Sequence, residues 1–254
     1  MGLKLSKLSF SSLQLYNLCP YKFHTVYVQG VKEPSSVHTV TGRALHKIME
    51  KMFKQKKFHL SEWLTQWPQY LDKQLLKDKD IEISESDKQK FLASGYKHLT
   101  TIHSWLQKED LLKPNLENEL WFSCSYKDEI TFNGLIDFVV DRGDYFLIGD
   151  YKFGKVISRD HKHQIMLYMA FFRKIRGIKN VKGVLIYPQN INKSHYIEPT
   201  EKLREETSKF FNDIYQRLIA DTEFKPTKNK YCSNCFLYRQ QKCPLFENTY
   251  VSTD

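Results

Sequence analysis

The stretch LIGDYKFGK, residues 147–155, opens with apolar residues and ends in charge. It reads as a buried strand whose C-terminal end reaches a polar place. Asp150 and Lys152 are two apart, so their side chains leave the strand on one face. Upstream, GLIDFVV (134–140) sets a second acid, Asp137, among apolar neighbours. A lone carboxylate there is costly unless it is paired or bound to a metal. If the two strands pair, Asp137 and Asp150 converge at one end of a sheet. Two carboxylates so placed repel, and a divalent cation relieves the repulsion. Lys152 then stands beside that cation, where it can hold a water or stabilise charge on a phosphate. By itself, an acid–lysine pair at a strand end is also an ordinary solvated feature.

The surrounding chain supplies a context. NELWFSCSY, ITFNGLIDFVVD and YFLIGDYK read as three successive strands, an antiparallel meander. SRDHKHQIMLYMAFFRKIR follows as a helix, in which Gln164 and Tyr168 are four apart and share a face. VKGVLIYP returns to a strand and KSHYIEP adds another. TEKLREETSKFFNDIYQRLI is a long helix with Leu203, Phe210, Ile214 and Leu218 in a stripe. Before the strands, SFSSLQLYNLCPYKFHTVYV reads as a capped helix broken near Pro20 and followed by another. TGRALHKIMEKMFK (41–54) is amphipathic, with Leu45, Ile48, Met49 and Met52 on one side. His46 lies on this helix and offers a nitrogen ligand. Residues 60–108 read as mostly helical.

The 254 residues carry 39 Lys and Arg against 29 Asp and Glu, a net charge of +10, which favours a polyanionic partner. No apolar run approaches the roughly 20 residues that span a bilayer, so no membrane helix is expected. Nor is there an apolar signal segment, which points to an intracellular, cytoplasmic protein. No G-x-x-x-x-G-K-[ST] phosphate loop is present, which excludes a nucleotide-driven motor. Of five cysteines, Cys232, Cys235 and Cys243 follow a C-x2-C-x7-C spacing. Inside a cell such thiols are metal ligands more often than disulfides. Cys19 can complete a set of four if the chain ends meet. Spacing does not decide between structural zinc and iron–sulfur. Cys124, in a strand-like run, reads as a small buried hydrophobe.

Taken in order, these segments resemble the PD-(D/E)XK nuclease superfamily, in its RecB-type branch. GRALH with His46, GLIDFVV with Asp137, GDYKFGK with Asp150 and Lys152, and QIMLY with Gln164 and Tyr168 resemble four successive family motifs. Ile136 stands where the family name has proline. LCPYKF with the terminal cysteines resembles the iron–sulfur staple of AddB-type and CRISPR-associated RecB-like nucleases. The resemblance implies a restriction-endonuclease-like α/β core, a mixed central sheet flanked by helices, and a helical lobe stapled by a [4Fe–4S] cluster on Cys19, Cys232, Cys235 and Cys243. It also implies Mg²⁺ or Mn²⁺ held by His46, Asp137, Asp150 and the Tyr151 carbonyl. Asp137, Asp150, Lys152, Gln164 and Tyr168 form the implied catalytic set, with Glu119 acting from behind it.

The expected organisation is N-terminal helices (1–56), a helical insertion (57–112) that matches no motif, a nuclease core (113–222) and a C-terminal cysteine segment (223–254). The expected function is metal-dependent exonuclease cleavage of DNA, at single-stranded or free ends, in recombination, repair, replication or CRISPR adaptation. A non-catalytic DNA-binding subunit of a helicase–nuclease complex is the alternative. The basic residues between 152 and 182 are candidate phosphate contacts.

Overall fold

The structure, a computed structural model, describes residues 6–78, 81–113, 115–127, 130–154 and 158–247. Lys155, in the stretch quoted first, lies outside them. The chain divides into two compact units. The first comprises Met1–Pro34, Ser123–Asn133 and Glu205–Asp254, and the second comprises Ser35–Phe122 and Gly134–Arg204.

The core of the second unit begins with its helices. Strand β1 (Lys7–Ser9) and helices α1 (Phe10–Leu18) and α2 (Pro20–Phe23) belong to the first unit, and α3 (Val37–Lys54) opens the second. The Ser36 hydroxyl caps α3 by accepting the Thr39 N–H at 3.2 Å. Leu45, Ile48, Met49 and Met52 are buried along its inner face, as their spacing predicts. The helical expectation for 60–108 is met by α4 (Leu60–Lys77) and α5 (Glu85–Lys108). Trp63, Trp67 and Leu71 of α4, together with Leu99, Ile102 and Leu106 of α5, are fully buried in one cluster with α3. Burying an indole leaves an N–H to satisfy. Trp63 Nε1 donates to the Lys57 carbonyl at 2.8 Å and Trp67 Nε1 to that of Leu92 at 3.0 Å.

The strands are β2 (Leu116–Lys127), β3 (Ile130–Asp141), β4 (Phe146–Tyr151), β5 (Val181–Ile186) and β6 (His195–Ile197), with α6 (Asp160–Arg176) between β4 and β5. Their order is β1-β3-β4-β5-β6, with β2 also against β3. β3 and β4 pair antiparallel, β4 and β5 parallel, β5 and β6 antiparallel, so the sheet is mixed. The parallel pair needs a crossover, and α6 provides it. That helix ends at Gly177, whose φ of 66° is the left-handed stop a glycine makes without penalty. Among the described residues no helix is long and apolar enough to cross a membrane.

Two readings need correction. The sequence reads as helical from Ser9 with no strand before it, but residues 7–9 form β1, parallel to Thr131–Asn133 of β3. Three residues are too few to display a period of two. In α7 (Glu201–Ala220) the buried stripe is Thr207, Phe211, Ile214, Tyr215 and Leu218, rather than one through Leu203 and Phe210. Two adjacent phenylalanines satisfy either helical phase, and packing against Phe10 selects Phe211, at 6.1 Å between ring centroids.

Packing beside Asp150 is unusually close at Gly149. A β-carbon there would fall 1.9 Å from Phe138 Cζ, on the strand paired with β4. Gly149→Ala should therefore destabilise the protein by about 1–3 kcal/mol in urea unfolding, the usual penalty of overpacking. In combination with Phe138→Leu the two losses should be clearly less than additive. Strict additivity would mean that the ring is not the obstacle.

Candidate active site

Asp150 is the next-to-last residue of β4. The β3–β4 register pairs Phe138 with Gly149, so one further step sets Asp137 opposite Asp150. Directly opposed residues of an antiparallel pair share a face, which is the convergence expected from sequence. Asp137 Oδ2 accepts the Tyr151 backbone N–H at 2.6 Å, so the side chain occupies the end of the ladder. Its Oδ1 lies 3.3 Å from His46 Nδ1. The amphipathic phase of α3 that buries Leu45 and Ile48 points His46 toward the strand end, and its ring makes edge contact with that of Tyr151.

Lys152, just past β4, is fixed at both ends. Its backbone N–H donates to the Ile186 carbonyl on β5 at 2.8 Å. Its ammonium lies 2.6 Å from Asp150 Oδ2 and donates to Gln164 Oε1 at 2.6 Å. Gln164 Nε2 donates in turn to Tyr168 Oη at 3.0 Å. All six residues singled out in the sequence for catalysis or metal binding through their side chains thus meet in the second unit.

The electrostatics follow from burial. Asp150 is only 5 % exposed. Loss of water pushes its carboxyl up to about 6; Lys152 and His46 oppose the shift, and Asp137 adds to it. His46 is pulled down by burial, but Asp137 and Asp150 outweigh this and hold the imidazole above its usual value. Tyr151 and Tyr168 are raised by burial, then by Asp137 and Asp150 respectively.

A divalent cation fits this donor set. Two carboxylates, an imidazole and a main-chain carbonyl are ligands of the kind that Mg²⁺ and Mn²⁺ accept. Asp150 Oδ2 is buried and, although the Lys152 ammonium is near, accepts no hydrogen bond of good geometry. As the side chains stand, no group of three or more His, Cys, Asp or Glu among the described residues is placed so that it could hold a metal ion. Lys152 and His46 instead each hold one carboxylate.

Several neighbours escaped the sequence reading. Glu50, one helical turn beyond His46, is 7 % exposed and carries ion pairs to Lys47 and Lys54. An acid on the apolar side of α3 was the available signal. Glu119, noted only as a supporting residue, lies 3.8 Å from Lys47. Burial, then Glu50, raises its carboxyl. Its φ of 47° inside β2 is a left-handed conformation that costs a residue with a side chain about 1–2 kcal/mol. His161 stacks on Tyr187 and meets its hydroxyl at 3.1 Å. Burial and the Lys152 charge push that imidazole down to about 4.

In the first unit Cys19, Cys232, Cys235 and Cys243 come together. The Cys243 thiol is raised by burial, and each of the other three cysteines adds to the shift. Hydrogen bonds from Tyr21 Oη to the Lys242 carbonyl, 2.9 Å, and from Asn229 Nδ2 to the Leu18 carbonyl, 3.3 Å, join the chain ends around them. The Asn229 N–H also points at Cys232 Sγ, at 3.3 Å. Cys124, on β2, is buried, as expected for a small hydrophobe.

Because the folded pKa of Asp150 lies above its unfolded value, the native state binds the extra proton between about pH 4 and 6, and stability falls as pH rises through that window. Asp150→Asn removes the buried charge. With EDTA present its Tm should exceed the parent's at pH 8, and the gap should close toward pH 4. A parent that is the more stable at pH 8 would show that Lys152 overcompensates the burial.

The sequence profile of the PD-(D/E)XK nuclease superfamily matches residues 7–240. No curated protein matches the chain. Among solved structures, a candidate exonuclease from Eubacterium rectale is 12 % identical, with a TM-score of 0.55 over 97 % of this chain and 94 % of that one. The crystal structure of SSO0001 is 14 % identical, with a TM-score of 0.43, covering 96 % and 89 %. The profile match spans most of the sequence and includes every residue of the site just described, and the chain belongs to the PD-(D/E)XK nuclease superfamily.

Proposed function

We propose that the protein is a metal-dependent deoxyribonuclease of the RecB-type branch, an exonuclease acting on single-stranded or free DNA ends. The observation that carries this reading is the buried Asp150 carboxylate, set opposite Asp137 and against the Lys152 ammonium. A protein that only bound DNA would gain nothing from so costly a charge, which argues against the non-catalytic alternative.

Asp137, Asp150, His46 and the Tyr151 carbonyl would hold Mg²⁺ or Mn²⁺. The cation would lower the pKa of a water and polarise the phosphate. Lys152, held in place by Asp150 and Gln164, supplies fixed positive charge where negative charge develops during phosphodiester cleavage. Tyr168 sets Gln164, and through it the direction of Lys152. Arg176 and Lys182 are paired with Glu117 and Glu198, so the phosphate contacts fall to other basic residues of the stretch. A helicase or a CRISPR adaptation complex fits as partner to a chain without a motor motif.

End-labelled single-stranded and duplex DNA, incubated with Mg²⁺ or Mn²⁺, tests the assignment. Asp137→Ala, Asp150→Ala and Lys152→Ala should each lose cleavage by at least about a hundredfold, since each removes several kcal/mol of transition-state stabilisation. Parental rates in Asp150→Ala would mean that the site lies elsewhere.

We propose that the four thiols hold a [4Fe–4S] cluster, with zinc as the rival. Anaerobically purified protein should be brown, and Cys19→Ala should bleach it and lower Tm, whereas Cys124→Ala should do neither. Colourless protein with one equivalent of zinc would keep the staple and discard the iron.

A further inference from the structure

Beside the site, within the second unit, α3, α5 and the residues after β4 enclose a cavity of about 740 Å³. That is ample for a nucleobase with its sugar. Its lining includes two phenylalanines and two histidines. Phe91 of α5 is half-buried and meets the His38 ring edge-on at 5.1 Å. Phe153 also lines the cavity, 5.7 Å from the ring of His98. Three charged side chains line it: Lys90 is paired with Asp87 at 2.8 Å, and Lys97 joins no ion pair among the described residues.

Phe153 also connects the cavity to the chemistry. Its ring is 5.1 Å from that of His46 and perpendicular to it. Lys152 precedes it directly in the chain, and Gln189 Nε2 holds its carbonyl at 2.8 Å. Gly42, on the cavity wall, lies one helical turn before His46, so the two share a face of α3. A β-carbon built on Gly42 meets nothing within 4 Å.

We infer that this cavity receives an unpaired nucleobase of the substrate strand, stacked on Phe91 and Phe153 next to the cleaved phosphate. The inference rests on the nuclease reading and narrows it to strands whose bases can leave a duplex. Aromatic rings offer a face to any base, and a nearby lysine tracks the backbone, which is how single strands are held without sequence preference. A paired base is sequestered in its stack and cannot enter. The helical insertion, which matched no motif, would then act as the selector of strand state.

The test uses the full chain in EDTA and oligothymidylate carrying one 2-aminopurine at successive positions from an end. In the parent, fluorescence should drop sharply at one or two adjacent positions. Gly42→Phe fills the cavity and also replaces a helical glycine by a better helix former; Phe91→Ala removes a stacking face. Both should abolish the positional signal, and each should weaken binding by about tenfold or more. An abasic residue at the signalling position should weaken the parent equally and leave Gly42→Phe unchanged. A parent that shows no positional signal, or a signal that persists in Gly42→Phe, overturns the inference. A positional signal in a parent that cleaves no DNA with Mg²⁺ or Mn²⁺ would remove the nuclease reading and leave the base pocket standing. Full cleavage with the signal absent would do the reverse.

Discussion

The structure depends on keeping one carboxylate charged in a place that disfavours charge. Asp150 sits at the end of a central strand with almost no access to water. What surrounds it is arranged as compensation. Lys152 lies against it, Gln164 and Tyr168 orient that lysine, and the Asp137 carboxylate and the His46 ring meet opposite. The compensation is incomplete, since the carboxyl remains above the ordinary range. That residual deficit is the opening a divalent cation would fill.

The sequence made this half of the molecule legible because its signals are local. Asp150 and Lys152 share a strand end, and the meander brings Asp137 opposite without any long-range assumption. Gln164 and Tyr168 needed only the helical period. His46 was harder, because its placement depends on how α3 packs. Only the match to an ordered motif set brought it forward. The alternation of apolar residues gave the antiparallel β3–β4 pair, while the parallel β4–β5 pair became visible only with the crossover in place.

What stayed hidden has physical reasons. Glu50 looks like any acid on a long helix until burial is known. The left-handed backbone of Glu119 has no signature in a residue that is not glycine or asparagine. Phe91 and His98 share a face of α5, seven residues apart, but Phe153 comes from a distant segment after β4, so no period links it to them. Residues 60–108 read only as mostly helical, because tryptophans that fill a core and aromatics that line a cavity obey the same spacing. The meeting of the four cysteines was guessed from number and location, and it rests on contacts between chain ends more than 200 residues apart.

The anchoring of Lys152 has a consequence for how the protein is made. Its backbone is pinned by Ile186 on β5, while His46 comes from α3. The charged constellation therefore cannot close until everything from His46 to Ile186 has been synthesised and β5 has docked in parallel beside β4. Non-local parallel pairing is the slow step in building such a sheet. A chain emerging from the ribosome therefore carries an unclosed site until Ile186 has been made, beside the messenger RNA that encodes it. Whatever cutting activity the finished fold possesses is withheld by topology until β5 has been made and has docked beside β4.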